Sequence, residues 1–172
     1  KCVEKKNSNR EWNILFRSRY QELFTPPKIM IRQTADKIIA AADENVGYYC
    51  IDSVNVALLK DQYRLEINFF VGLLNSVVLN FFYSQIAQEA GRVLAQVKPQ
   101  RIKMLPIVFP SKDKRQRLAL LVNRIMQLVT VNKGDSTTGK NKELDNLRDQ
   151  LDEQVIDFYG LTAEEREIIY KS

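Results

Sequence analysis

From Arg64 to about Gln88 apolar residues recur at helical spacing: Leu65, Phe69, Leu73, Val77 and Phe81 every fourth position, with Phe70, Leu74, Val78 and Phe82 beside them. So broad a stripe predicts one long helix, buried on most sides. Asn68, Asn75 and Asn80 interrupt it, which argues against a membrane span, where amides would need partners inside hydrocarbon. Gly72 lowers helix propensity, and close approach of a strand or a second helix is the structural reason to keep it. The stretch Gly72-Leu73-Leu74-Asn75-Ser76 is therefore expected to pack inside a support helix rather than to touch a ligand.

The pattern is shorter-ranged before that helix. Pro26-Pro27 blocks a regular element, and Ile29, Met30 and Ile31 follow it as a short strand. Residues 36–42 form a window too short for its period to separate helix from strand. Asn45 to Gly47 reads as a turn, and Tyr48 to Leu59, rich in aromatic and β-branched residues, as two short strands or one bent one.

After the helix, Gly91 is a stop. Residues 92–110 read as loop and short strand, with Pro99, Pro106 and Pro110 preventing a helix. Ser111 can cap a helix running to about Val129, with Leu118, Leu121, Val122, Ile125, Leu128 and Val129 on one side. A Gly-, Ser- and Thr-bearing loop separates it from a second helix, about Lys142 to Tyr159, whose seam Leu144, Leu147, Leu151, Val155 and Phe158 is nearly heptad-spaced. Gly160 closes that helix, and Thr162 with Glu165 makes a capping box for a last one. The expected class is α+β: a mixed α/β domain over 1–110 with a long buried helix, then a C-terminal helical hairpin over 111–172.

Charge divides the chain at the same place. Residues 1–110 carry 15 Lys/Arg against 10 Asp/Glu, and residues 111–172 carry 11 against 11. A polyanion such as nucleic acid is thus a better partner for the first part. Two clusters carry the chemistry for it: Lys28, Arg32, Gln33, Thr34 and Lys37 after Pro26-Pro27, and Arg92, Gln96, Lys98, Gln100, Arg101 and Lys103 before Leu105-Pro106. Lys and Arg supply phosphate contacts, while Arg, Gln and Asn offer paired donors and acceptors to base edges. Residues 141–172 hold 4 basic and 9 acidic residues. That makes a poor DNA face and either a protein-binding face or an ordinary helix pair covering its own core.

Catalytic patterns are missing. There is no histidine, so the commonest general base and a common metal ligand are absent. Cys2 and Cys50 make neither a disulfide framework nor a zinc site. Asp36, Asp43 and Glu44, and again Asp149, Asp152 and Glu153, lack calcium-loop spacing. Thr137-Thr138-Gly139-Lys140 is followed by Asn141 and joins two helices, which a phosphate loop does not. No catalytic, cofactor or metal site is expected here. The polar start suggests no signal peptide and a cytoplasmic chain, and a sequence opening on Lys1 is expected to be a piece of something longer.

Four ordered motifs then carry a resemblance. "FTPPKIMIR" (24–32), "YYCIDSVNVALL" (48–59), "LLNS" (73–76) and the Leu105-Pro106-Ile107 strand motif resemble the TaqI-like specificity domain of restriction-modification enzymes and adenine methyltransferases. The tail from Asp152 to Ile169, "DEQVIDFYGLTAEEREII", resembles the ending of such proteins. The resemblance implies a target-recognition domain that binds double-stranded DNA for an adenine methyltransferase, upstream in the same chain or in an associated subunit, and in fused enzymes for a nuclease. Residues 1–20 would then be a linker from that upstream domain, which would also bind S-adenosyl-L-methionine. The methyltransferase motifs do not occur here: Thr25-Pro26-Pro27-Lys28 has neither the amide before the prolines nor the aromatic after them. A helical interaction or scaffold module without DNA readout is the alternative.

Overall fold

A computed structural model of the chain describes residues 21–45, 47–50, 53–87, 95–131 and 138–171. Three strands, β1 (Lys28–Arg32), β2 (Ala40–Asp43) and β3 (Val54–Ala57), form an antiparallel sheet in the order β2-β1-β3. Ile29 lies opposite Ala42 and Ala57, and Ile31 opposite Ala40 and Asn55. Among the described residues six α-helices follow: α1 (Ile67–Asn75), α2 (Val77–Ala87), α3 (Pro99–Ile102), α4 (Lys112–Val131), α5 (Thr138–Tyr159) and α6 (Ala163–Lys171). The fold is thus a mixed α/β domain with a C-terminal helix pair.

The sheet bears out the strand at Ile29–Ile31, and of the window at 36–42 only the end is strand, within Ala40–Asp43, residues 36–39 being bend and coil. Only Val54–Ala57 of the stretch from Tyr48 to Leu59 is strand among the described residues. The linker at 1–20, the full turn at 45–47, the stop at Gly91 and the middle of the loop expected over 131–142 lie outside the described residues. The described ends of that loop are helical instead, Val131 ending one helix and Thr138 opening the next.

The single long helix expected from Arg64 to Gln88 is instead three pieces. A 3-10 helix, Asp61–Glu66, leaves Leu65 fully exposed at 100%. Then α1 and α2 meet at Ser76, whose backbone is extended, and the chain bends there by 62°. Polar side chains compete with the backbone at this point. The Ser76 hydroxyl donates to the Leu73 carbonyl (2.7 Å) and accepts the Leu79 N–H (3.3 Å), capping α2. From α5, an Asp152 carboxylate oxygen accepts the Val77 N–H at 2.7 Å.

Two of the three amides that broke the apolar pattern, Asn75 and Asn80, have a shared task, while Asn68 donates to Glu44 and Asn123. Strand β2 pairs with β1 on one side only, so its other edge needs partners. Asn75 accepts the Ala40 N–H (2.9 Å) and donates to the Ala40 carbonyl (2.8 Å), and Asn80 accepts the Ile38 N–H (2.7 Å). The helix pair thereby docks onto the sheet edge through side chains.

Gly72 is where α1 and α4 close on each other: a Cβ built there would lie 2.9 Å from Val122 Cγ2 and 3.1 Å from Leu118 Cγ. This is the close approach that the glycine foretold. The core runs without a break from Ile29 and Ile31 of the sheet through Phe69 and Leu73, then Leu118 and Val122 of α4, to Leu151, Val155 and Ile156 of α5 and Ile169 of α6. Gly160 sits at φ +62° after α5, and the Thr162–Glu165 capping box forms reciprocally at 2.8 and 3.3 Å.

Two further expectations fail for local reasons. Pro99 opens α3 rather than preventing it, because the first helical position needs no N–H donor. Leu105-Pro106-Ile107 is not a strand: Leu105 is buried and its N–H closes a turn onto the Ile102 carbonyl (3.1 Å). Among the described residues no single helix is long and apolar enough to cross a membrane.

Candidate nucleic-acid interface

The two polar clusters, some 60 residues apart in sequence, meet at one end of β1. Beyond Arg32 the chain turns through Gln33–Lys37 and returns, with the Arg32 N–H on the Ile39 carbonyl (3.0 Å). Thr34 forms an isolated antiparallel bridge with Gln96, and the Val97 N–H donates to the Gln33 carbonyl at 2.7 Å. On its other side the Gln33 N–H donates to the Ser53 carbonyl at 2.9 Å. Gln33 and Thr34 are thus joined through backbone to Ser53 on one side and to Gln96–Val97 on the other.

Anchors and reaching groups alternate along the second segment. Ala95, Val97 and Leu105 are buried, while Gln96, Lys98, Gln100, Arg101 and Lys103 are exposed. Lys98 leads into α3, which carries Gln100 and Arg101 on a single rigid turn. On the first segment Arg32, Thr34 and Lys37 are exposed and Gln33 is half-buried. Arg92 lies outside the described residues.

Among the described residues Arg32, Lys37, Arg101 and Lys103 make no ion pair, so their charge is available to an external anion. Asp36, exposed beside Lys37, is the acidic residue of this ridge. Several cations elsewhere are internally engaged, although Lys60, Lys112, Lys114 and Arg117 also make no ion pair among the described residues. Arg115 pairs with Glu66 (2.6 Å) and donates to the Pro110 carbonyl (2.6 Å), while Arg166 bridges Glu153 (3.0 Å) and Asp157 (2.7 Å).

Lys28 must be withdrawn from the candidates. Its side chain is 0% exposed, its ammonium donates to the Phe24 carbonyl (3.0 Å) and it pairs with Asp43 across β1 and β2. No phosphate can reach it, and the pair instead closes the sheet end opposite to the ridge. Burial alone would raise the Asp43 carboxyl; the Lys28 ammonium and the Gly47 and Tyr48 N–H groups outweigh it and hold the carboxyl below the usual carboxylate range. At this same end a groove lies between the turn after β2 and α4, lined by Asp43, Glu44, Tyr48, Asn123 and Gln127 among others, with no Lys or Arg. It has the wrong sign for a nucleic-acid backbone.

Two residues that sequence reasoning missed hold the ridge together. Asn55 on β3 donates to the Val97 carbonyl (2.9 Å), and the Tyr83 hydroxyl on α2 stands 3.3 Å from both the Gln96 carbonyl and the Lys98 N. The available signal was a tyrosine inside a helix predicted to be buried, since a buried hydroxyl needs a partner. Further along, the Tyr159 hydroxyl of α5 donates to the Pro106 carbonyl at 2.5 Å; burial pushes this phenol up to about 12, against a smaller opposing effect of the Val108 backbone. Among the described residues no three cysteine or carboxylate side chains converge as a metal site would require.

No curated protein matches the chain. The sequence pattern of the TaqI-like C-terminal specificity domain matches residues 2–107, a span that takes in the sheet, α1, α2, α3 and both halves of the ridge, and leaves α4, α5 and α6 beyond its end. That span is more than half of the 172 residues, and the chain belongs to the family of TaqI-like C-terminal specificity domains.

Proposed function

We propose that this chain is the DNA target-recognition module of a restriction-modification enzyme, serving an adenine methyltransferase placed upstream in the same polypeptide or in an associated subunit. The observation that carries the reading is the joining of two separate cationic, amide-bearing segments into one ridge at the Thr34–Gln96 bridge. Arg32, Lys37, Lys98, Arg101 and Lys103 are the phosphate contacts that set register and orientation. Gln33, Thr34, Gln96 and Gln100 are the groups for base edges, a glutamine amide being able to pair with adenine N6 and N7 together.

The module itself carries out no bond-making step. It holds the duplex while the target adenine leaves the stack for the pocket of the methyltransferase. S-adenosyl-L-methionine belongs to that other domain, and none of the residues here is assigned to it. Residues 1–110 serve recognition and residues 111–172 support it, with α4 and α5 packed into the same core. The buried seam of α5, Leu151 and Val155, is used internally, which favours helices that cover their own domain over a free interaction face.

Titrating the parent protein with duplexes of its methylated target and scrambled controls at one salt concentration tests the reading, since salt alone changes backbone affinity strongly. A clear preference for the target is expected. Equal affinity for both would overturn it.

A further inference from the structure

The segment from Gln96 to Lys98 is fixed through its main chain, by hydrogen bonds from three other parts of the chain. The Val97 N–H and carbonyl are both satisfied, by the Gln33 carbonyl (2.7 Å) and the Asn55 amide (2.9 Å). On either side of Val97, the Gln96 carbonyl and the Lys98 N–H converge on one phenol oxygen, Tyr83 Oη, each at 3.3 Å. Tyr83 is 1% exposed and Val97 0%, while Asn55 is half-buried, so the phenol and the Val97 main chain are held on the protein side of the segment. The Tyr83 hydroxyl donates to one neighbour and accepts from the other, a pairing that the ring alone cannot provide.

We propose that Tyr83 and Asn55 are specificity-determining positioning residues: they lock the main chain of Gln96–Lys98 against Gln33–Thr34, so that these side chains meet base edges as one fixed set. The inference rests on the DNA-recognition reading above and adds to it which supporting groups set the discrimination. Its signature comes from unequal tolerance. Paired hydrogen bonds to a base edge require placement to within about 0.5 Å. Long Lys and Arg side chains follow a phosphate over larger displacements, and phosphate contacts carry no sequence information. Loosening the main chain therefore weakens discrimination while leaving general affinity for DNA in place.

The test uses the parent protein and a pool of randomised duplexes, from which the bound fraction is recovered and sequenced at one salt concentration. Wild-type protein enriches a motif. Tyr83→Phe keeps the ring in the core and removes only the hydroxyl; Asn55→Ala removes the donor to Val97. Each is expected to keep its affinity for scrambled duplex within about twofold, and to lose about tenfold in preference for the enriched sequence, the order of one mismatched base pair. Val155→Ala, a buried change on α5 remote from the ridge in sequence, serves as a control that lowers the melting temperature and keeps the preference. Two results overturn the proposal: an unchanged preference in both variants, or a preference that falls in all three proteins in step with melting temperature. If wild-type protein enriches nothing, the DNA-recognition reading itself fails; enrichment by wild type with unaltered variants removes only the positioning role.

Discussion

Gly72→Ala sets two opposite effects against each other at the α1–α4 contact. Alanine is favoured over glycine inside a helix by about 0.8–1.0 kcal/mol, so an uncrowded site would be stabilised. Here the added methyl would lie 2.9 Å from Val122 Cγ2, 3.1 Å from Leu118 Cγ and 3.2 Å from Leu118 Cδ2. Neither neighbour gives way easily. Val122 is β-branched and stiff at χ1, and both residues are buried, at 3% and 0% exposure. Overpacking of this kind costs about 1–3 kcal/mol, so the expected net loss is about 1 kcal/mol. Urea unfolding followed by far-UV circular dichroism should give a lower midpoint with an unchanged slope. Adding Val122→Ala frees the space that the new methyl needs. The double variant should accordingly lose roughly 1 kcal/mol less than the sum of the two single changes. A Gly72→Ala protein as stable as wild type, or more so, would refute the account of this helix contact.

Other consequences concern charge. Lys28→Met strands the buried Asp43 carboxylate and should cost about 3–5 kcal/mol in urea unfolding, while leaving the salt dependence of DNA binding unaltered. Because the Asp43 carboxyl is held below its ordinary value of 3.8, its stabilising contribution is complete above that pH and is lost as pH falls through the depressed value; acid titration of stability should reveal this in wild type and not in Lys28→Met. Arg101→Ala and Lys103→Ala should each lower the slope of log affinity against log salt by about 0.9, measured on one duplex across a salt series. At the bend, Asp152→Ala should cost about 1 kcal/mol through the lost cap on Val77. Burial, with Asp149 and Glu153 adding to it against the Val77 N–H, raises the Asp152 carboxyl. Asp152→Asn keeps the acceptor without the buried charge, so thermal melts at neutral pH should place it at or above wild type.

The parts of the fold that local pattern controls were legible in the chain. Ile29–Ile31 after two prolines, Gly160 with its positive φ, and the Thr162–Glu165 box each follow from residues adjacent in sequence. The break at Ser76 was not, because it is settled by partners far away: Ala40 and Ile38 on the sheet edge for the two asparagines, Asp152 on α5 for the Val77 N–H. An apolar stripe records that a face is buried and is silent about a bend within it. The interface divides in the same way. Its two cationic segments stood out by composition, yet their union depends on the Thr34–Gln96 bridge, a contact between sequence-distant residues. Lys28 was misjudged for a related reason: a lysine beside a basic cluster reads as surface, and only the register that sets it opposite Asp43 reveals its burial.

The direct test of the central claim is a map of which surface touches bases. A photo-crosslinking residue is placed in the parent protein either at Gln96, on the ridge, or at Gln127, in the acidic groove at the other end of the sheet. Each protein is illuminated on bound duplex, and the linked nucleotides are identified. Crosslinks to bases are expected from position 96 and none from position 127; crosslinks from 127 with none from 96 would overturn the assignment of the ridge as the DNA-reading surface.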